Sequence, residues 1–172
     1  MRKTWDMKAG RIARLGMFAA LALALGWLEA QLPFLPGLPG VKLGIANTVL
    51  LYVLMLEGGG SAFCVMLVRV LLAGILYAGF SGFCYSMAGG LLSLGVMLLL
   101  CRMKGIGLIG ISCGGAAAHN FGQLCVACIW IGHRAALAYA PVLLLSGILT
   151  GAATAVCAKL VLRGIRKGGG TR

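Results

Sequence analysis

The sequence predicts an all-α membrane protein, a single bundle of about six transmembrane helices. Composition is the first reason: 61% of the 172 residues are hydrophobic and only 10% are charged. Ordinary globular chains carry roughly 25% charged residues. The mean hydropathy of +1.03 is the second, and six apolar runs are the third. So few charges cannot cover a soluble protein of this size, so the apolar surface must face lipid. A spanning helix takes about 20 apolar residues, so the length admits five to seven spans in one integral membrane domain, 1–172.

The runs cover 15–32, 41–56, 61–80, 83–101, 106–131 and 138–162. The basic start and apolar core of the first run resemble a secretory signal. That core is long for a signal and more spans follow, so it is read as a retained helix. The second run follows Pro33-Phe34-Leu35-Pro36-Gly37-Leu38-Pro39-Gly40, which cannot continue a helix. The fifth is long, and Gly114-Gly115 is expected to bend or break it.

Fifteen Lys and Arg face only Asp6, Glu29 and Glu57, a net charge of +12. In a soluble protein this excess would suggest nucleic acid. Here it sits at chain ends and between apolar runs, as orientation signals do, and nucleic-acid binding is not expected. With six spans, Arg2, Lys3, Lys8, Arg11, Arg14, Arg102, Lys104, Lys159, Arg163, Arg166, Lys167 and Arg172 share one side. The positive-inside rule makes that side cytoplasmic and puts both termini there.

Several chemistries lack their residues. Three carboxylates, none near another in sequence, cannot supply an Asp-rich magnesium site or a carboxylate acid/base pair. No P-loop motif is present. The seven cysteines lie in or at the ends of apolar runs and are read as packing residues. Gly110-Ile111-Ser112-Cys113-Gly114 matches G-x-S-x-G, but two helical turns would hold Ser112 about 10 Å from His119. A base must approach within about 3.2 Å. No catalysis, cofactor or metal is expected.

Polar residues inside the runs are more telling. Asn47 falls near the middle of the second run and Arg69 near the middle of the third. His119, Asn120 and Gln123 share one face of the fifth. A charge at the bilayer centre costs about 2.5–3.5 kcal/mol by insertion scales, so such groups face the bundle interior. They form either a substrate site or a structural network, the latter with Arg69 bonded to backbone carbonyls or Glu57. Lys42 and Glu29 flank the Pro/Gly segment, where they either snorkel and pair or guard an entrance for an anion.

Small residues recur at four-residue spacing: Gly16, Ala20 and Ala24 in the first run, and Gly89/Gly90 with Ser93 and Met97 in the fourth. Such ladders let helices approach closely in lipid, either within the bundle or against another subunit.

Glu29, the stretch Leu35 through Lys42 to Asn47, Arg69, Ser86-Met87-Ala88-Gly89-Gly90 with Ser93, and Gly114 through His119-Asn120-Phe121-Gly122-Gln123 together resemble the Gx transporter family. Its members are often labelled heptaprenyl diphosphate synthase component I. The resemblance implies kinship with the substrate-binding (S) components of energy-coupling factor transporters. Those are six-helix proteins that work with a membrane coupling subunit and two cytoplasmic ATPases. The cost of polar groups near the midplane places small-molecule binding at Asn47, Arg69, His119, Asn120 and Gln123, with Lys42 at the outer entrance, and the ladder Gly16, Ala20 and Ala24 is similar to the face S components present to their coupling subunit. Two function classes stay open: a substrate-capture or transport protein, and a non-catalytic membrane subunit of a prenyl diphosphate synthase.

Overall fold

Apolar runs without a breaker propagate as helix wherever side chains can pack, and helix accounts for almost all of this chain. The computed structural model describes residues 2–31, 44–130 and 132–168. It contains α1 (Arg2–Gln31), α2 (Ile45–Glu57), α3 (Gly59–Ala73), α4 (Gly79–Arg102), α5 (Leu108–Trp130) and α6 (His133–Gly168). A π-helical turn, Gly74–Ala78, carries α3 into α4. Among the described residues there is no strand. Lys42 and the Pro33–Gly40 segment lie outside the described residues.

Contacts between neighbours fix the direction of each helix. Arg14 meets Glu57 and Phe18 meets Tyr52, so α1 and α2 are antiparallel. Arg11 bonds Ser61 while Gly26 abuts Tyr77, so α1 and α3 are parallel. Gly59 lies beside Leu98, Met66 beside Gly90 and Gly74 beside Phe83, a hairpin of α3 and α4. Gly114 beside Leu100 and Gly122 beside Ala88 reverse α5 on α4. Ser112 with Thr154 and Asn120 with Leu143 reverse α6 on α5. Helices therefore alternate in direction, and the start of α1 and the end of α6 share one end of the bundle. Arg102 and Lys104 fall at that same basic end.

The observed boundaries shift the expected ones for physical reasons. α1 and α6 extend beyond 15–32 and 138–162 because the flanking basic segments contain no residue that stops a helix. The turn between α3 and α4 falls at Gly79, whose φ of +67° suits only a residue without Cβ. α5 is continuous, so the expected break at Gly114-Gly115 does not occur. Those glycines instead admit Leu100 and Met97, whose side chains lie 2.5 Å from where a Cβ would stand.

Six spans were expected. Among the described residues, three segments are long and apolar enough to cross a membrane: 9–31, 59–102 and 140–161. The second is 44 residues long, about 66 Å if straight, and it is folded in two at Gly79. α2 has 13 residues, about 20 Å, short of a hydrocarbon core of about 30 Å. The polar stripe of α5 lowers its hydropathy. The exterior is apolar all round, with Met17, Leu21, Leu76, Leu99, Leu145, Leu149 and Leu160 exposed. That surface is compatible with a membrane protein and far exceeds the patches soluble monomers show.

The core gathers on α2. Val49, Leu50, Leu51, Val53 and Leu54 are buried against Ala19 and Ala22 of α1, Val65, Met66 and Val70 of α3, and Leu94 and Met97 of α4. The small-residue ladder of α4 is internal: Gly89, Gly90, Ser93 and Met97 are all buried. On α1, by contrast, Gly16, Ala20 and Ala24 are exposed, and a Cβ at Gly16 would meet nothing.

Close packing of α5 on α4 has a direct test. A Cβ on Gly122 would stand 2.7 Å from the Ala88 carbonyl oxygen and 2.9 Å from Gly89 Cα, both backbone. Gly122→Ala should therefore destabilise the fold by about 1–3 kcal/mol, whereas Gly16→Ala should leave it unchanged. Thermal unfolding of both variants in detergent checks this.

Candidate functional site

Six helices converge on a cavity of about 70 Å³ near the end of the bundle opposite the basic termini. Its walls include Glu29 of α1, Asn47 of α2, Arg69 of α3, Tyr77 of the π turn, Ser86 of α4, His119, Asn120 and Gln123 of α5, and Thr150 of α6. Five residues singled out in the sequence thus meet around one space: Asn47, Arg69, His119, Asn120 and Gln123. The sixth, Lys42, lies outside the described residues. One position differs from expectation. α2 begins only at Ile45, which puts Asn47 in its first turn and not near its middle. The cavity is therefore displaced from the bundle centre toward one end.

Arg69 is the charge of the site. Glu57, one partner the sequence allowed it, is at the other end of α2, 3.0 Å from Arg14 and 3.9 Å from Arg11. Arg69 makes no hydrogen bond or ion pair within 4.0 Å to another described residue. Glu29 and Tyr77 lie close enough to act on it electrostatically. A guanidinium is always charged and presents a planar fork of donors. Held among helices with no hydrogen bond to another described residue, it is costly unless something in the cavity receives those donors.

The side chains around it divide by what they already bond. Glu29 is buried and accepts the N–H of Gly44, which has φ +72° and stands immediately before α2. That bond replaces the side-chain cap α2 lacks. Asn120 donates its amide to the carbonyl of Leu143, tying α5 to α6. Thr150 bonds back to Gly147 within α6. These three serve the network as well as the wall. Asn47, Tyr77, Ser86 and Gln123 bond no other described residue, so their polar atoms remain available to an occupant. Gly89 makes room for His119: a Cβ there would stand 2.8 Å from its Cε1.

Tyr77 and Glu29 went unassigned or were placed elsewhere by the sequence. α-Helical periodicity puts Leu76, seven residues on, below Arg69. The π turn takes up an extra residue, so Tyr77 reaches the cavity and Leu76 points outward, 65% exposed. Its hydroxyl fits against α1 because residue 26 is glycine, with 3.0 Å from the oxygen to a Cβ position. Glu29 was assigned to the loop entrance; its setting among apolar residues was the available signal of burial.

The G-x-S-x-G match sits inside α5 and has no strand-to-helix turn. Ser112 is buried, and its hydroxyl pairs with that of Thr154 at 2.8 Å. The motif therefore serves helix packing here. Among the described residues no group of three His, Cys, Asp or Glu could hold a metal.

A family model described as heptaprenyl diphosphate synthase component I matches residues 18–161, which include part or all of every helix that lines the cavity. The chain belongs to this family. No curated protein and no solved structure matches it. Within the family's matched region lie Glu29, Glu57 and all the described cavity residues.

The Glu29 bond predicts a distinct pattern of stability. Glu29→Ala should cost about 1–2 kcal/mol, the usual loss for removing a helix cap, while Glu29→Gln keeps an acceptor for Gly44 and should cost less. Melting temperatures of the two variants decide it, and equal losses would show that the carboxylate charge, not the bond, matters.

Proposed function

We propose that this chain is a membrane substrate-capture protein, similar to the S components of energy-coupling factor transporters, that binds a small anionic or amphipathic metabolite at Arg69. The metabolite belongs to isoprenoid, quinone or vitamin metabolism. The observation that carries this reading is a charged guanidinium that bonds no other described residue and lines a cavity beside the amides of Asn47 and Gln123 and the hydroxyls of Tyr77 and Ser86. An oxyanion would satisfy those donors, and a guanidinium binds a carboxylate or phosphate with two parallel hydrogen bonds. The cavity has room for a few water-sized groups, since each water needs about 10–15 Å³. That suits one compact head group.

In this reading the chain crosses the membrane six times, with both termini in the cytoplasm. Alternating helix directions and basic residues gathered at one end support it. Phe80, Phe83, Tyr85 and Trp130 cluster at the other end, with Phe80 and Trp130 stacked at 6.3 Å. Aromatic clusters of this kind mark a membrane interface. The cavity then opens toward the outer face, where Lys42 guards its entrance. The exposed Gly16, Ala20 and Ala24 present a flat face to an energy-coupling membrane subunit with cytoplasmic ATPases.

The family description favours a second reading, a non-catalytic membrane subunit of a heptaprenyl diphosphate synthase. Co-purification with a soluble synthase would support it, and uptake dependent on a coupling subunit would support the first.

Two experiments test the proposal. Arg69→Met should weaken ligand binding at least tenfold, about 1.4 kcal/mol, with no fall in melting temperature. Native mass spectrometry of the purified wild type and variant reads the loss of an anionic adduct; an unchanged adduct, or a lower melting temperature with intact affinity, would make Arg69 structural. Ala20→Leu and Ala24→Leu should abolish uptake while ligand binding persists, because bulk on that face holds backbones apart. Loss of binding in both would return the ladder to internal packing.

A further inference from the structure

Two charges of opposite sign stand in the wall of one cavity, Glu29 on α1 and Arg69 on α3. They act on each other electrostatically, yet among the described residues no ion pair joins them within 4.0 Å. Glu29 is only 7% exposed. One of its oxygens takes the Gly44 N–H, and the other bonds no described residue. An ionised carboxylate offers about four acceptor sites, and burial makes unmet ones costly. Glu29 therefore lacks a donor in the same space where Arg69 lacks an acceptor.

An oxyanion alone answers half of this. Bound at Arg69, it brings a second negative charge into a small space that already contains a carboxylate. Like charges repel more strongly where water is scarce. A cationic donor on the ligand, beside its oxyanion, replaces that repulsion with an attraction. The other groups of the wall accommodate both functions. The amides of Asn47 and Gln123 and the hydroxyls of Tyr77 and Ser86 can each donate or accept. Tyr77 stands near both charges: it acts on Arg69, and its hydroxyl abuts Gly26, three residues before Glu29 on the same face of α1. The volume of about 70 Å³ suits a compact group of a few heavy atoms.

We infer that the ligand's head group is zwitterionic, with an oxyanion at Arg69 and a neighbouring ammonium at Glu29. This rests on the reading of the cavity as an anion site and narrows the class of head group it takes. Charge balance decides for an ammonium over a neutral hydroxyl. The two wall charges already sum to zero, so a head group without net charge keeps the filled cavity neutral where desolvated charge is costly. The rival is a Glu29 that serves only the start of α2.

The test uses the full chain in detergent near neutral pH, with affinities measured by calorimetry on two matched pairs of probes. One pair is butyrate and its α-amino derivative; the other is propylphosphonate and its α-amino derivative. In one pair or both, the amino member should bind at least tenfold tighter, about 1.4 kcal/mol. Arg69→Met should weaken both members of that pair. Glu29→Gln keeps an acceptor for Gly44 but removes the charge, and should lower the ratio within the pair more than threefold. Melting temperatures verify that both variants are folded. The wild-type ratio needs no variant: a value below tenfold in both pairs overturns the zwitterion inference. The anion site still stands in that case if Arg69→Met weakens the plain probes. A ratio that Glu29→Gln leaves within threefold of wild type also overturns the inference, because the carboxylate then serves α2 alone. Probes that bind without regard to Arg69, or not at all, overturn both readings.

Discussion

The position of α2 depends on two carboxylates, and the rest of the bundle is arranged around that helix. Glu57 at its end reaches Arg14 and Arg11 of α1, and Glu29 of α1 accepts the Gly44 N–H at its start. The two bonds hold α2 antiparallel to α1 from both ends. They differ in kind. The Glu57 pair is partly exposed on its arginine side, where such pairs contribute about 0–1 kcal/mol. The Glu29 bond is part-buried, and an unmet N–H in a fully buried place would cost about 1–3 kcal/mol. A helix of 13 residues needs such ends, because its own propensity is marginal at that length.

Around α2 the bundle has two textures. On the α4–α5–α6 side, glycines bring backbones together: a Cβ on Gly151 would stand 2.8 Å from Cys113 Cα. Dispersion contacts and close backbone approach supply the attraction between helices when lipid offers no hydrophobic gain. Between α1 and α6 the described residues make no such approach, and an apolar groove walled by Phe18, Tyr52 and Val161 lies there. One sequence thus contains a rigid half, which positions His119, Asn120 and Gln123, and a looser seam between its first and last helices.

The cavity combines the two demands. Asn120 and Glu29 are engaged in holding helices, while Arg69, Asn47, Tyr77 and Gln123 are not. Groups engaged in a structural network and groups that face the cavity, which the sequence left as alternatives, therefore share one wall. The division follows from hydrogen-bond geometry: each group bonds a neighbouring backbone where one is in reach and faces the cavity where none is.

The all-helical class was legible in the sequence, because hydropathy is a local, additive signal; of the six spans it implied, three described segments are long and apolar enough to cross a membrane. Asn47, Arg69, His119, Asn120 and Gln123 were legible too, since polar groups in apolar runs are costly and must meet inside. Three things required the tertiary structure. The π turn changes which side chain lies over Arg69, replacing Leu76 with Tyr77, and no α-helical periodicity reveals that. The burial of Glu29 depends on α2 starting at Gly44, a long-range contact across 15 residues. The partner of Glu57 depends on helix direction, which gave it to Arg14 and left Arg69 without it. In each case the deciding quantity is distance between residues on different helices, and a sequence contains composition and spacing but no such distance.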